Sequence, residues 1–367
     1  MGGVAADGLE GVAVAIGRAT IASRLAGIGG ATLALMPPTR HWPPVFIGAA
    51  PRSGTTLLRT MLNSHPELAI PGETRILVDG YRRRAQWGDL RDVENRRRLA
   101  LWVVERQRSR YRQLTEDPDE LVDCMVAAPP TLGSVLGAGF RLYADRHGKP
   151  RWGDKRPSVV LNLEAVHAMF PDAQFVNLVR DPRAVVASIR RVGRRYGWGA
   201  HGLPGAADTW ERSMRAADRW RRRLGPGQFL EVRYEDLVTE PAAVLGRIAE
   251  FLELDAGGLD AMLRHHETAD VHNRTMHAFV SKPVTTERMR AWEQALRPRE
   301  IAFVEGVLGN WMRRYGYEPV AASVSVPPGL SRRHRRRRNE MRLESARRRT
   351  RELWLQLSYR RPVAAQP

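Results

Sequence analysis

The stretch from Val45 to Arg75 places the strongest constraint on the fold. It opens with an apolar run at 45–47, passes through a loop of small residues and proline at 48–54, and continues as a helix-forming segment at 55–64. A buried strand that leads through a tight loop into a helix presents free backbone amides to an anion beyond the loop. The sequence therefore predicts a phosphate-binding loop in an α/β protein, with a generic strand–loop–helix turn as the alternative.

This loop departs from the nucleotide-binding pattern GxxxxGK[ST], in which the Lys reaches the β- and γ-phosphates and the Ser/Thr binds Mg²⁺. Aligned on Gly54, the chain has Ala49 at the first glycine and Thr55 at the lysine. Arg52 and the hydroxyls of Thr55 and Thr56 still suit an anion at a helix N-terminus. We therefore expect an anion site without a γ-phosphate and without a metal ion.

Composition and charge limit the domain organisation. The 367 residues are 43% hydrophobic, which is enough for one large core. The formal net charge is +19, and about half of it comes from Ser331–Arg361, where thirteen Arg face three Glu. We expect an N-terminal arm at 1–44 that is poorly ordered or lies on the surface, a main domain at 45–320, and an Arg-rich, partly helical tail at 321–367.

Two features bear on the cellular compartment. Cys124 is the single cysteine, which excludes an intramolecular disulfide and a Cys-based zinc site and fits a reducing compartment. The longest uncharged run of the N-terminal arm, from Leu25 to Arg40, is too short and too rich in Gly and Pro to span a bilayer. We expect a cytoplasmic protein, with a peripheral membrane contact of the arm as an alternative.

The remaining chain alternates between apolar and helical segments. Further strands are predicted at 174–179 and 229–234, each followed by a helical segment. This alternation is typical of a parallel sheet flanked by helices. Charged helices at 79–136 should cover the sheet and shape a substrate entrance, and a mobile loop at 191–204 is a candidate lid.

Three charged or polar residues outside the first loop are site candidates. Arg180 ends a predicted strand and Ser188 follows two helical turns later, so both could meet one anion at the carboxyl edge of the sheet. The alternative is an Arg that pairs with Asp181 and a Ser that only fills a helix position. Lys155 lies in a predicted turn at 149–158, where charged residues are commonly solvated caps.

Several separated segments resemble, in order, the sulfotransferases that use PAPS (3'-phosphoadenosine 5'-phosphosulfate), and most closely the tyrosylprotein sulfotransferases. The matching segments are PRSGTTLLRTMLNSHPE at 51–67, GETR at 72–75, DKRP at 154–157, VRDPR at 179–183, YE at 234–235 and KPV at 282–284. The resemblance implies a P-loop-like parallel sheet flanked by helices and transfer of a sulfuryl group to a hydroxyl or amine without metal. PAPS has no γ-phosphate, which explains the missing lysine.

The resemblance also implies a role for each matching residue. Glu73 becomes the general base, and Lys155 and Arg52 stabilise the transferring sulfuryl group. Tyr234 and Lys282 contact the nucleotide. The 5'-phosphosulfate loop comprises Arg52, Ser53, Gly54, Thr55 and Thr56, and the 3'-phosphate signature is Arg180 with Ser188.

Two departures from the family pattern stand out. Some relatives have a further 3'-phosphate arginine where this chain has Val192, and Arg190 or Arg191 is a candidate substitute. The disulfides of secretory relatives cannot form with one cysteine.

In-line sulfuryl transfer asks for the same residue types. The acceptor oxygen loses its proton while charge accumulates on the oxygen that bridges to phosphate. A carboxylate takes that proton if burial raises its pKa toward neutrality, and each well-placed donor to the oxygens contributes about 3 kcal/mol. The alternative to a general base is that Glu73 only caps a helix. His65 is the rival base and ranks lower because it ends the helix of the loop itself.

Three classes of function stay open: a sulfotransferase, a nucleotide-dependent kinase, and a non-catalytic protein whose tail binds nucleic acid or membrane. The missing lysine counts against the kinase. In the tail, Leu353, Trp354, Leu355 and Leu357 form an apolar patch near the basic run at 332–338. The expected partners are a hydroxyl-bearing acceptor (peptide, carbohydrate or small molecule), an anionic membrane or polyanion, and a second copy in a homodimer. His272 and His277 lack a supporting carboxylate or Cys, so no metal is expected there.

Overall fold

A five-stranded parallel sheet lies at the centre of the computed structural model. The structure describes residues 42–106, 111–196, 202–268, 280–320, 325–326, 328–358 and 361–366. The strands are β1 (Val45–Ala49), β2 (Leu68–Ala69), β3 (Arg151–Lys155), β4 (Gln174–Val179) and β5 (Phe229–Arg233). Their order across the sheet is β2-β3-β1-β4-β5. The predicted α/β class with a parallel sheet is confirmed.

Helices cover both faces of this sheet. They are α1 (Thr55–Asn63), α2 (Ile76–Arg82), α3 (Val93–Arg106), α4 (Pro118–Ala127), α5 (Leu132–Arg146), α6 (Leu163–Met169), α7 (Pro182–Tyr196), α8 (Gly202–Leu224), α9 (Tyr234–Thr239), α10 (Pro241–Leu252), α11 (Leu259–Leu263), α12 (Trp292–Ala295), α13 (Pro298–Arg314) and α14 (Pro328–Ser358). Short 3₁₀ turns join several of them, including Pro157–Asn162 after β3.

Alternate residues of β1 point to opposite faces, as the strand period requires. Phe46 packs into a core formed with α2–α6, where its ring lies 5.5 Å from that of Phe175. Val45 and Ile47 pack on the other face against α1, α9 and α10. A third cluster, centred on Trp210, joins α7, α8 and α13 beyond the end of β4.

The position of β1 explains where a ligand site belongs. The chain builds β2 and β3 on one side of β1 and then β4 and β5 on the other, so the connections diverge at the carboxyl end of β1. In open α/β sheets a crevice forms at such a point. The predicted phosphate loop lies at this position.

Two predictions of local structure are wrong. The turn predicted at 149–158 contains the strand β3. The strand was not predicted because several of its buried residues are charged rather than apolar. Arg151, for example, is 1% exposed and donates to Pro43 O at 2.6 Å. The loop predicted at 191–204 is helical at 191–196 and 202–204, and residues 197–201 lie outside the described part.

Other predictions fall outside the described residues. These are the N-terminal arm up to residue 41 and the histidines at 272 and 277. In the part of the chain that the structure covers, no helix is both long enough and apolar enough to cross a bilayer.

The Arg-rich tail packs on the main domain. His334 of α14 is 3% exposed, and its Nε2 lies 3.4 Å from a carboxylate oxygen of Glu211 in α8. Beyond the helix, Val363 O accepts a hydrogen bond from Gly133 N at 2.8 Å, at the start of α5. The tail therefore contributes to the packing of residues 42–367, which form one compact unit.

Candidate active site

The loop between β1 and α1 has an unusual backbone. Arg52 has a φ of 73° and Gly54 a φ of 99°, both in the left-handed region that side chains disfavour. A Cβ on Gly54 would lie 2.5 Å from Cδ2 of Tyr234, so the ring of Tyr234 leaves room only for glycine. Non-glycine residues held at positive φ cluster at functional sites.

A buried hydroxyl lies in the same loop. Ser53 is 0% exposed, and its Oγ has no hydrogen-bond partner within the described chain. Buried polar atoms are nearly always hydrogen-bonded, so this hydroxyl suits an oxygen of a bound anion. Thr55, which begins α1, is 4% exposed beside it. The residues present therefore fit a phosphate or sulfate group.

The structure brings the two predicted anion-binding segments together. Arg52 Nε donates to Ser188 Oγ at 3.2 Å, which joins the first loop to α7. The guanidinium of Arg180 lies 4.0 Å above the ring of Tyr234, and its NH1 is 3.4 Å from Arg52 O. The alternative was an ion pair between Arg180 and Asp181. In the structure Asp181 forms its ion pair with Arg183 instead, at 2.8 Å.

The residues next to Arg180 in the chain explain where Arg180 and Ser188 lie. Asp181 begins α7 by accepting a hydrogen bond from Arg183 N at 2.8 Å, which sets Arg180 at the strand end and Ser188 two turns into the helix. Glu235, which follows Tyr234, accepts from Asp181 N at 3.1 Å and so fixes the end of β5 against the end of β4.

A further arginine approaches this group. Arg180 NH2 donates to Arg288 O at 2.7 Å. Burial and the positive charges of Arg191 and Arg180 lower the pKa of the Arg288 guanidinium, so these charges act on Arg288. Sequence reasoning missed Arg288, because it lies in no matching segment.

Arg190 and Arg191 are the candidate substitutes for the arginine that some relatives have at the position of Val192. Val192 is 5% exposed and faces the core. Arg190 forms an ion pair with Glu300 at 3.1 Å. Arg191 is exposed and lies one helical turn from Ser188, and its charge lowers the pKa of Arg288. Of the two candidates, Arg191 is therefore the one beside the predicted anion site.

The second half of the site joins β3, α1 and the segment before α2. Lys155, at the end of β3, is 5% exposed. Its Nζ lies 3.3 Å from Glu73 Oε2 and 3.5 Å from Thr56 Oγ1. Burial lowers the pKa of Lys155, while the charge of Glu73 acts in the opposite direction. Glu73 and Lys155, two of the three predicted catalytic residues, thus form an ion pair next to the anion-binding loop.

Glu73 itself is not buried, since 47% of its side chain is exposed. The burial expected from its proposed role as a base is therefore absent. The buried carboxylate is that of Asp154, the neighbour of Lys155 in β3. Burial, assisted by the charge of Glu73, raises the pKa of Asp154 to about 7. The sequence placed Asp154 in a predicted turn and in the matching segment DKRP, and predicted no role for it.

Two other candidates have clear positions. His65 is 0% exposed, its Nδ1 accepts from Glu67 N at 3.1 Å, and its Nε2 lies 2.9 Å from Asp255 O. Both ring nitrogens are thus committed to the backbone, which fits its low rank as a base. Lys282 is exposed in a turn two residues before Val284, and its role stays a prediction. Among the described residues, no group of His, Cys, Asp and Glu has the arrangement of a metal site.

Comparison with known proteins agrees with this geometry. The profile described as "Sulfotransferase family" matches residues 43–257, more than half of the chain. Protein-tyrosine sulfotransferase A of Caenorhabditis elegans is 28% identical over 291 residues, which cover 77% of this chain and 69% of that protein. Protein-tyrosine sulfotransferase 1 of Danio rerio is 27% identical over 295 residues, which cover 77% and 74%.

A solved structure agrees as well. The sulfotransferase domain of the Synechococcus PCC 7002 olefin synthase is similar with a TM-score of 0.51 and 26% identity, over 76% of this chain and 97% of that domain. These matches confirm the resemblance found in the separate sequence segments. The chain belongs to the sulfotransferase family and is a sulfotransferase.

Proposed function

We propose that the protein transfers the sulfuryl group of PAPS to a hydroxyl group, with a peptide tyrosine as the first candidate acceptor. One observation carries the proposal: the Lys155–Glu73 pair, with Nζ and Oε2 3.3 Å apart, lies at the same sheet edge as the Arg52–Ser188 contact. An anion-binding loop and an acid–base pair therefore share one crevice. The family match favours this function over the kinase and the non-catalytic binding protein.

The first loop would hold the 5'-phosphosulfate. The hydroxyl of Ser53, the backbone amides at the start of α1 and the guanidinium of Arg52 are donors to its oxygens. Arg52 already donates to Ser188, so the loop and α7 would bind the donor as a unit. PAPS supplies the activated sulfuryl group when bound.

Arg180, Ser188 and Tyr234 would bind the other end of the nucleotide. The positive charges of Arg191 and Arg180 repel that of Arg288, and a bound phosphate would offset that repulsion. We assign the 3'-phosphate to this group, with Arg191 and Arg288 in place of the arginine that Val192 replaces.

The chemical roles follow from the second half of the site. Glu73 accepts the proton of the acceptor hydroxyl while the acceptor oxygen forms its bond to sulfur. The bond between sulfur and the bridging oxygen of the phosphate breaks, and Lys155 and Arg52 stabilise the charge left on that oxygen. The exposure of Glu73 places it where an acceptor can approach from solvent.

The acceptor is proposed from the two relatives reported above, both of which are named protein-tyrosine sulfotransferases. A carbohydrate or small-molecule hydroxyl is the competing acceptor. The cytoplasmic location also stays a proposal, supported by the single cysteine.

The deciding experiment is transfer of label from ³⁵S-PAPS to tyrosine peptides and to a fractionated host extract, with wild type and Glu73→Ala side by side. Labelled product with the wild type and a loss of at least about 100-fold with the variant are expected. Equal transfer by both proteins would reject Glu73 as the base. Absence of PAPS binding by the wild type would reject the function.

A further inference from the structure

One side of α14 packs on the domain. His334 is buried near Glu211, Arg212 NH1 lies 2.7 Å from Met341 Sδ, and Glu352 binds Arg84 at 2.6 Å. These three residues of α14 are 7 and 11 positions apart, so they share one side of the helix. The opposite side is left to solvent.

That opposite side has a regular composition. Arg336, Leu343, Arg347 and Trp354 follow at intervals of 7, 4 and 7 residues, so they form a nearly straight line of about 27 Å along the helix. We call these four residues the outer stripe. Leu343 is 64% exposed and Trp354 is 65% exposed, against 53% for Leu353.

The surroundings of the outer stripe are basic. Among the α14 side chains that the structure describes, the exposed arginines are Arg332, Arg333, Arg335, Arg336, Arg342, Arg347, Arg349 and Arg351. Two exposed glutamates, Glu340 and Glu344, oppose them, and Glu340 forms an ion pair with Arg336 at 3.0 Å. The exposed residues therefore have an excess of six positive charges on a single helix.

We propose that the outer stripe lies on an anionic phospholipid surface, with α14 parallel to the membrane plane. Arginine side chains would meet lipid phosphates, and Leu343 and Trp354 would enter the boundary between headgroups and acyl chains. Tryptophan is favoured at that boundary.

Two other occupants fit the outer stripe less well. A nucleic acid would use the arginines but would leave Leu343 exposed on a charged backbone. A second copy of the chain would bring two like-charged helices together, which costs energy at physiological salt. The apolar residues between the charges therefore favour lipid.

The test is flotation of the full chain with vesicles of phosphatidylcholine alone or with 30% phosphatidylserine, in 0.15 M salt. Arg336→Gln/Arg347→Gln should weaken binding to the anionic vesicles about 30-fold, which is roughly five- to sixfold for each charge removed. Leu343→Ser/Trp354→Ser should weaken it about 10-fold or more. Binding of a 30-base-pair DNA duplex should change only with the arginine variant.

Matched variants remove the same groups elsewhere on the surface. Arg112→Gln/Arg299→Gln removes two exposed charges, and Val93→Ser/Leu101→Ser removes two exposed apolar side chains from α3. Both should bind vesicles like the wild type, and an unchanged circular dichroism spectrum excludes unfolding of α14. The proposal is overturned if the wild type does not float with anionic vesicles. A second result would also overturn it: Leu343→Ser/Trp354→Ser binds the anionic vesicles like the wild type, and the wild type binds the DNA duplex as tightly as those vesicles. The partner would then be a polyanion.

Discussion

Asp154 is a carboxylate inside the sheet, adjacent in sequence to the proposed catalytic Lys155. The residue is 5% exposed, and one of its carboxylate oxygens has no hydrogen-bond partner within the described chain. Burial is the main cause that raises its pKa to about 7. A carboxylate that titrates near neutrality next to the site makes the stability of the fold depend on pH.

We expect Asp154→Asn to stabilise the protein at pH 8 and to have a much smaller effect at pH 5. The pKa is about 7 in the folded state against an ordinary value of 3.8, so the folded state binds this proton more tightly than the unfolded chain. The resulting stability is complete below about pH 4 and is lost as the pH rises through 7. At about 1.4 kcal/mol per pH unit, the difference in free energy of unfolding between the two proteins should change by about 3 kcal/mol from pH 5 to pH 8.

Urea unfolding at both pH values measures this difference. Asp123→Asn, at an exposed position, controls for the general loss of a carboxylate. If the difference in free energy of unfolding between wild type and Asp154→Asn is the same at both pH values, the raised pKa of Asp154 is contradicted.

Arg288 allows a test at the other end of the site. Charge-assisted hydrogen bonds contribute about 1.5–3 kcal/mol, so Arg288→Gln should weaken binding of PAP, the desulfated product, at least about 10-fold. Binding of adenosine 5'-phosphate, which lacks the 3'-phosphate, should change much less. Titration calorimetry with both nucleotides gives the comparison, and Arg290→Gln removes a neighbouring exposed arginine as the control. Equal losses for the two nucleotides would mean that Arg288 supports the fold rather than the phosphate.

At the scale of elements, the loop between β1 and α1 depends on its contact with α9. The ring of Tyr234 occupies the space in which a side chain at position 54 would lie. The same ring lies under the guanidinium of Arg180 at 4.0 Å. A change at Gly54 is therefore transmitted directly to the proposed nucleotide site.

Gly54→Ala should abolish measurable PAP binding and lower the free energy of unfolding by about 1–3 kcal/mol. Gly148→Ala is the matched control, because Gly148 also has a positive φ, 63°, but a Cβ added there would meet no atom within 4 Å. The control shares the backbone strain and lacks the collision with Tyr234. Similar PAP affinity of the two variants would show that the loop tolerates displacement of the ring.

At the scale of the whole molecule, the sequence predicted what local patterns determine. The alternation of apolar and helical segments predicted the parallel sheet. Short motifs predicted the individual site residues, and the structure adds the contacts that join Arg52 to Ser188 and Lys155 to Glu73. Long-range packing determined the rest. Asp154 is buried because β3 lies between β1 and β2, and Arg288 reaches the site because Arg180 binds its carbonyl oxygen. Neither fact has a signature in the sequence around those residues.

The tail is a similar case, because its composition indicates a solvated, basic segment while its contacts join it to the core. Arg84 is buried with 2% of its side chain exposed, and its NH2 lies 2.6 Å from Glu352 Oε1 in α14. Past the helix, Ala365 N donates to Met169 O at 2.6 Å. Gly133 is in such close contact with this segment that a Cβ there would lie 2.6 Å from Ala365 N.

Deletion of residues 328–367 should therefore destabilise the domain. It leaves the buried guanidinium of Arg84 without Glu352, and removing one partner of a buried ion pair costs about 3–5 kcal/mol. Glu352→Gln removes only the carboxylate that pairs with Arg84 and leaves the full chain otherwise unchanged. Glu344→Gln, at an exposed position of the same helix, is its control. Denaturant unfolding of the four proteins should give a clear loss for the deletion and for Glu352→Gln but none for Glu344→Gln. A deletion that unfolds at the wild-type midpoint would instead make the tail an independent appendage, as its composition alone indicates.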